Sequence, residues 1–313
     1  MKGLELSKQF YLQYGAPMIR ERFAALESVI AVGLMGSGSE CFGYDDPISR
    51  DHDFEAGFCL FLPDESVVDR KTAFALERAY AKLPTEFMGV RRQPLSPVGG
   101  NRHGVFRICD FLREKTGTPD GVLSLSAWLT LPEQTLAEAT NGEVFRDDLG
   151  LLTEARARLA YLPEDVRRKK LAGHLLLMGQ AGQYNYPRCL FRGETAAAQL
   201  AIIEFAQSAL HTVFLLNRAY LPYYKWRFRA LRELPVLSEL HAPLEYLISS
   251  GNTPAEAERK KRMAEEIGDT IAKRLRVEGL SDFSGTELEG HAYAVDGTIR
   301  NGELRTLHIL SGV

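Results

Sequence analysis

Cysteine is scarce: the chain of 313 residues has four, Cys41, Cys59, Cys109 and Cys189, far apart and without CxxC spacing. That argues against a zinc site or a disulfide framework and fits a reducing cytoplasm. Charge of one sign is also lacking. A formal net charge of −3, with a pI near 6.2, leaves no electrostatic footprint for broad nucleic-acid binding, although local patches remain open. The first residues, MKGLELSKQFYLQYG, have no continuous apolar core of the kind a signal peptide carries. No apolar run reads as long enough to span a bilayer, so no membrane partner is expected. What remains is an ordinary globular balance, 45% hydrophobic and 25% charged, with room for two domains.

The densest chemistry lies in residues 28–64, SVIAVGLMGSGSECFGYDDPISRDHDFEAGFCLFLPD. Ser28 to Leu34 is apolar and β-branched between polar and glycine punctuation, which predicts a buried strand. It runs into Gly36-Ser37-Gly38-Ser39. Glycines there let backbone approach a ligand closely, and serine hydroxyls with free N–H groups at the start of a following helix suit a phosphate. Further on, Asp51-His52-Asp53-Phe54 precedes the apolar Phe58-Cys59-Leu60-Phe61-Leu62. On a strand, Asp51 and Asp53 project to one side and His52 and Phe54 to the other. Two carboxylates that close repel unless a hard cation joins them, and Mg²⁺ favours one or two carboxylates plus water and phosphate oxygens. A phosphate cradle beside metal-binding acids points to metal-assisted phosphoryl or nucleotidyl transfer.

Gly38-Ser39, eleven residues, then Asp51-His52-Asp53-Phe54 resembles the glycine-serine and Asp-x-Asp signature of the DNA polymerase beta nucleotidyltransferase superfamily. The longer string GSGSECFGYDDPISRDHDF, with PVGGNRHGV and LNRAYLPYYKW, is similar to a bacterial branch of unknown function described only as nucleotidyltransferase-like. The resemblance covers most of the chain and implies an α/β (α+β) fold, a small mixed-sheet nucleotidyltransferase domain followed by a helical bundle similar to that of aminoglycoside nucleotidyltransferases. It further implies a nucleoside triphosphate, ATP first, as substrate. Mg²⁺, or Mn²⁺ in its place, would be held by Asp51 and Asp53, and the phosphates by Gly36, Ser37, Gly38 and Ser39. An acceptor of unstated identity would receive the nucleotide through a hydroxyl.

Taking the chain in order, Leu4 to Glu27 reads as two amphipathic helices broken at Gly15 and Pro17. A helix is expected from Val67 to Leu83, capped by Asp64 or Ser66. Met88 to His103 should be a loop, from which Arg91, Arg92 or Arg102 reaches a substrate anion or simply faces water. Val105 to Phe111 reads as a third strand. Asp110 at its end is either the third carboxylate that the resemblance calls for or the N-cap of a helix, and Glu55 is the other candidate. Leu123 to Thr140 reads as one helix or two, and Asn141-Gly142 as a turn before an edge strand at 143–147.

A boundary is placed near Gly150, giving a nucleotidyltransferase-like domain over 1–150, a helical bundle over 151–279 and a terminal strap over 280–313, hairpin or strand. Thr195 to Tyr220 is apolar enough for the bundle's central helix. Asn217, Tyr220, Pro222, Tyr223, Tyr224, Lys225, Trp226 and Arg227 carry more aromatics than one helical core face accommodates. By the resemblance Lys225 reaches the triphosphate; the alternative is a lysine snorkelling to water from an aromatic core. Gln183, Asn185, Arg188 and Arg192 read as a polar loop, Arg259-Lys260-Lys261-Arg262 as a solvated face, and His103, His291 and His308 as site residues without identified partners. A reading of a different class remains: a non-catalytic nucleotide-binding or protein-interaction module on the same scaffold.

Overall fold

The structure, a computed structural model, describes residues 1–48, 54–92 and 102–313. It is an α+β fold in which a small mixed sheet is followed by a largely helical region. The chain divides into two compact units, residues 1–123 with 135–160, and 124–134 with 161–313.

In the first unit the sheet has four strands, β1 (Ala31–Leu34), β2 (Cys59–Leu62), β5 (Gly104–Arg107) and β6 (Glu143–Arg146), in the order β5-β2-β1-β6. β1 runs antiparallel to both neighbours, while β2 and β5 are parallel. Every residue of β1 and β2 is buried, so these central strands read as apolar runs rather than alternating ones. β1 starts three residues later than its apolar run suggested, because 27–29 form a turn.

Helices α1 (Gly3–Phe10) and α2 (Ala16–Arg22) flank a single wide turn at Tyr11–Gly15, so the expected break is a continuous helical path with Pro17 in the first turn of α2. Their apolar side joins α3 (Arg70–Ala81) around Phe58, whose ring lies 5.8 Å from Phe10, 5.4 Å from Tyr11 and 5.1 Å from Tyr80. A side chain at Gly15 would collide with that ring. α3 is capped by Asp69, which accepts from the Thr72 N–H at 2.7 Å; Asp64 instead holds a turn through the Ser66 N–H. The expected loop after it opens as a hairpin, β3 (Glu86–Phe87) against β4 (Val90–Arg91), turning on Met88 and Gly89 with positive φ.

The third strand is shorter than the sequence suggested. Arg107 donates to the Pro63 and Val68 carbonyls at 2.8 and 2.9 Å, and the chain turns there into α4 (Ile108–Thr116). α5 (Leu125–Thr130) and α6 (Glu133–Thr140) are the two short helices, and β6 is the edge strand at the expected place. α7 (Leu151–Arg158) follows Gly150 and belongs to the first unit.

The second unit is built on α8 (Glu164–Met178), a wide-turn segment Gly179–Asn185 that runs on into α9 (Tyr186–Phe191), and α10 (Thr195–Leu216). α10 is long and apolar enough to cross a bilayer, which corrects the expectation of no such run; in this fold most of it is buried as the core helix of the unit. Around it lie α11 (Arg227–Glu233), α12 (His241–Ser249) and α13 (Pro254–Val277), the last started by a reciprocal Thr253–Glu256 capping box.

The tail is helical, α14 (Leu288–Gly297) and α15 (Gly302–Thr306), and both pack on α8; the expected hairpin against the sheet domain does not form. Two lysines of α8 hold this tail: Lys169 reaches Asp296 at 2.9 Å and the Leu307 carbonyl at 2.7 Å, and Lys170 the Gly312 carbonyl at 2.8 Å.

Candidate functional site

Strand directions decide where the chemistry gathers. Gly33 of β1 pairs with Cys59 of β2, Cys59 with Gly104 of β5, and Leu34 with Glu143 of β6. The chain leaving β1 therefore shares one end of the sheet with the chain arriving at β2, β5 and β6. Gly36 to Ser39, Phe54 to Phe58, Arg102-His103 and Asn141-Gly142 are these four segments.

Two side chains clamp the backbone there. Asn141 accepts the Gly36 N–H at 2.9 Å and donates to the Gly36 carbonyl at 2.7 Å. The Tyr80 hydroxyl donates to the Phe58 carbonyl at 2.8 Å and accepts its N–H at 3.1 Å. Gly36 has φ +124°, open to glycine and hardly to other residues, and a side chain on Gly142 would overlap the Leu34 carbonyl.

Beyond the clamp, the Ser37 and Gly38 N–H groups meet no acceptor among the described residues. No long helix follows. One tight turn, Glu40–Phe42, ends at left-handed Gly43, so the helix-terminus dipole expected at the bend is not present. Ser39 does not cap that turn; its hydroxyl lies 3.4 Å from Oε2 of Glu40. Glu40 is 6% exposed, and its carboxylate lies over Gly38, in the space a Cβ there would need. A carboxylate thus occupies the cradle.

The adjoining cavity holds about 50 Å³ and is lined by the bend, Glu40, Cys41, Cys59, Arg102 and Lys115 among others. That is space for a few waters, not for a nucleotide. Burial pushes the Cys41 thiol well up and the Cys59 thiol to about 12, so both are inert thiols at neutral pH. Burial would lower the Lys115 ammonium, but Glu138 at 2.9 Å and Glu114 at 3.0 Å outweigh it and raise its pKa.

Asp51 and Asp53, the proposed metal ligands, lie outside the described residues, as does Ser49 to Asp53 as a whole. Among the described residues no three His, Cys, Asp or Glu side chains gather closely enough to hold a metal ion. Phe54 to Phe58 is irregular, with the Gly57 N–H closing on the Glu55 carbonyl, so the strand register that aligned Glu55 with the aspartates does not reach it. The Glu55 carboxylate instead meets Nδ1 of buried His103 at 2.7 Å. Asp110 is exposed in the first turn of α4, neither on a strand nor an N-cap, and its carboxylate pairs with Arg113 at 2.7 Å. It lines a different hollow, with Arg70, Phe74 and Glu77.

Of the three arginines, Arg102 alone lines the cleft; Arg91 pairs with Glu86 at 3.1 Å and Arg92 lies over the Tyr80 ring. Two residues of this sheet end carry no signal of that role in the sequence: Glu40, which stands inside the motif, and Asn141, whose pairing with Gly142 predicts only a turn.

In the second unit Lys225 is exposed with its ammonium 5.0 Å from the Trp226 ring centre, next in the chain to Tyr223 and Tyr224, whose rings meet at 4.4 Å with their planes tilted by 46°. Asn217 ties the end of α10 to Val236 and Gln183 bonds Glu265 and the Leu288 N–H, both structural duties. Arg188 lies over the Tyr184 ring. His291 is buried against Ser281 at 2.8 Å, and Nδ1 of His308 accepts the Leu310 N–H. Lys260, expected on a solvated face, is fully buried and donates to the Ser250 carbonyl at 2.8 Å and to Gln199 at 2.9 Å.

Comparison with known proteins gives two findings. The family described as Domain of unknown function (DUF4037) matches residues 128–227, less than half of the chain. A nucleotidyltransferase-like protein from Exiguobacterium sibiricum 255-15 of known structure is similar over 93% of this chain and 88% of its own, at 12% identity and a TM-score of 0.36. No curated protein matches.

Proposed function

We propose that the chain is a metal-dependent nucleotidyltransferase that moves a nucleoside monophosphate from a triphosphate, ATP first, to an acceptor hydroxyl. The observation that carries this reading is the convergence at one sheet end: a clamped Gly-Ser-Gly-Ser bend, whose Ser37 and Gly38 N–H groups meet no acceptor among the described residues, beside Phe54 to Phe58, which follow Asp51 and Asp53 in the sequence. Backbone N–H groups and Ser39 would cradle the phosphates, and Arg102 would offset their charge. Mg²⁺ or Mn²⁺ would be held by Asp51 and Asp53, oxygen donors suited to a hard cation, and when bound it supplies charge neutralisation at the phosphates. The chain's own contribution is to orient the triphosphate and exclude water.

Glu40 stands where the phosphates would lie, so a triphosphate must displace its carboxylate. Replacing Glu40 with Gln removes like-charge repulsion worth roughly 1 kcal/mol or more, so metal-free ATP should bind about five- to tenfold more tightly. In Asp51→Asn with Asp53→Asn, Mg²⁺-dependent ATP affinity should be lost from a protein that still folds. Both are read by calorimetric titration, and unchanged affinity in either variant counts against this site.

A second reading, a nucleotide-binding module without turnover, is favoured by Glu55 and Asp110 being engaged by His103 and Arg113. Incubation with labelled triphosphates, Mg²⁺ and cell extract separates the two. Label covalently gained by an acceptor supports transfer; retained, unconverted nucleotide supports the module.

A further inference from the structure

The second unit contains a polar cavity of about 420 Å³ that the proposed transfer does not use. Lys170 and His174, four residues apart on α8 and so on one face, meet His211 from α10 and Glu133 at the start of α6. Leu129 and Pro132 add apolar wall. The volume falls within the ordinary range for small-ligand pockets of roughly 300–1,000 Å³.

Lys170, His174 and Glu133 are all more than nine-tenths buried. The two imidazoles stack with centroids 4.3 Å apart and planes 10° from parallel. Both oxygens of Glu133 are engaged, one 3.4 Å from Nδ1 of His211 and the other accepting the Leu221 N–H at 3.0 Å. Lys170 uses one donor, on the Gly312 carbonyl.

What is left over is donor capacity. Among the described residues Nδ1 of His174 is buried without a hydrogen-bond partner, and the Lys170 ammonium has three N–H groups for one partner. Such a buried orphan is destabilising and calls for an explanation in a native fold. Burial drives the pKa of both His174 and Lys170 down, as expected of a site built for a negative charge that would compensate them.

We infer that this cavity binds a small anion through its carboxylate or phosphate group, which accepts from Lys170 and the His174 imidazole while any apolar part lies against Leu129 and Pro132. Glu133 fixes the His211 ring on which His174 stacks.

The test is NMR of the imidazole signals in the full chain at constant pH, with inorganic phosphate in one titration and citrate in another. Saturable, concerted movement of the His174 and His211 signals with either anion, while that of His103 in the first unit stays put, is the expected result, and the tighter anion identifies the group. Lys170→Met should weaken that binding about ten- to a hundredfold. His174→Phe, which keeps a ring in the stack, should weaken it too and serves if the lysine variant does not fold. Signals that neither anion moves, or affinity unchanged in the variants, would overturn the assignment. Because the reporters lie in the second unit, the outcome is independent of whether ATP binds at the glycine-serine bend.

Discussion

Removing the Asn141 amide tests whether the bend is held in shape from a distance. Asn141→Ala deletes two partly buried hydrogen bonds, 2.9 and 2.7 Å, to both polar groups of Gly36. At roughly 0.5–1.5 kcal/mol each, the loss is about 2 kcal/mol. For a unit of about 150 residues that corresponds to a melting transition lower by ~4–8 °C. Asn141→Asp is the sharper probe: one oxygen still accepts the Gly36 N–H, but the other sets a lone pair against the Gly36 carbonyl. It should cost at least as much as alanine, whereas an acceptor-only role predicts near-wild-type melting. Calorimetry reads both, and titration with Mg²⁺-ATP in parallel should show weaker binding as the bend loosens. An alanine variant that melts within ~1 °C of wild type, or an aspartate variant that matches wild type, would refute the clamp.

Two further expectations concern the second unit. Lys260→Met strands the Ser250 carbonyl and should destabilise by about 1–3 kcal/mol in urea, while Lys261→Met on the exposed side should stay within ~0.5 kcal/mol; equal effects would return Lys260 to the surface. Burial tends to raise the Glu164 carboxyl, but Arg167 and Arg218, each 2.7 Å away, prevail and lower it from 4.5 to about 2. A depressed acid stabilises above its unfolded pKa and loses that contribution as pH falls through the folded one. Stability should therefore decline between about 4.5 and 2, and Glu164→Gln should flatten that decline in acid melts; an identical slope in the variant would dismiss the ion pairs as its source.

Much of the sheet was legible, because central strands buried on both faces leave uninterrupted apolar runs such as Phe58 to Leu62. Short runs were not. Val105 to Phe111 alternates like a strand, yet Ile108, Phe111 and Leu112 also share a helical face, and the anchoring of Arg107 on two distant carbonyls decides for the helix. The tail misled in the same way: HAYAV suits a strand, but Leu288, His291, Ala292 and Val295 fall at helical spacing and are buried together. Lys260 was misread because its partners come from other elements, which a charge pattern does not reveal. At the candidate site the glycine-serine bend was apparent from its composition. Glu40 over Gly38 depends on the conformation of the tight turn it opens, and Asn141 on Gly36, from 105 residues away, on tertiary geometry alone.

That separation sets an order of events at the ribosome. Strands β1, β2 and β5 and their helices emerge before residue 108, but the edge strand and the asparagine that fastens the bend arrive only after the chain has passed through Ser124 to Gln134, which belong to the other unit. A nascent chain stalled before Asn141 would carry an open sheet edge along β1 and a slack glycine bend. Such a piece should be a target for chaperones and prone to edge pairing, and the fastened shape of the bend should be among the last features it gains.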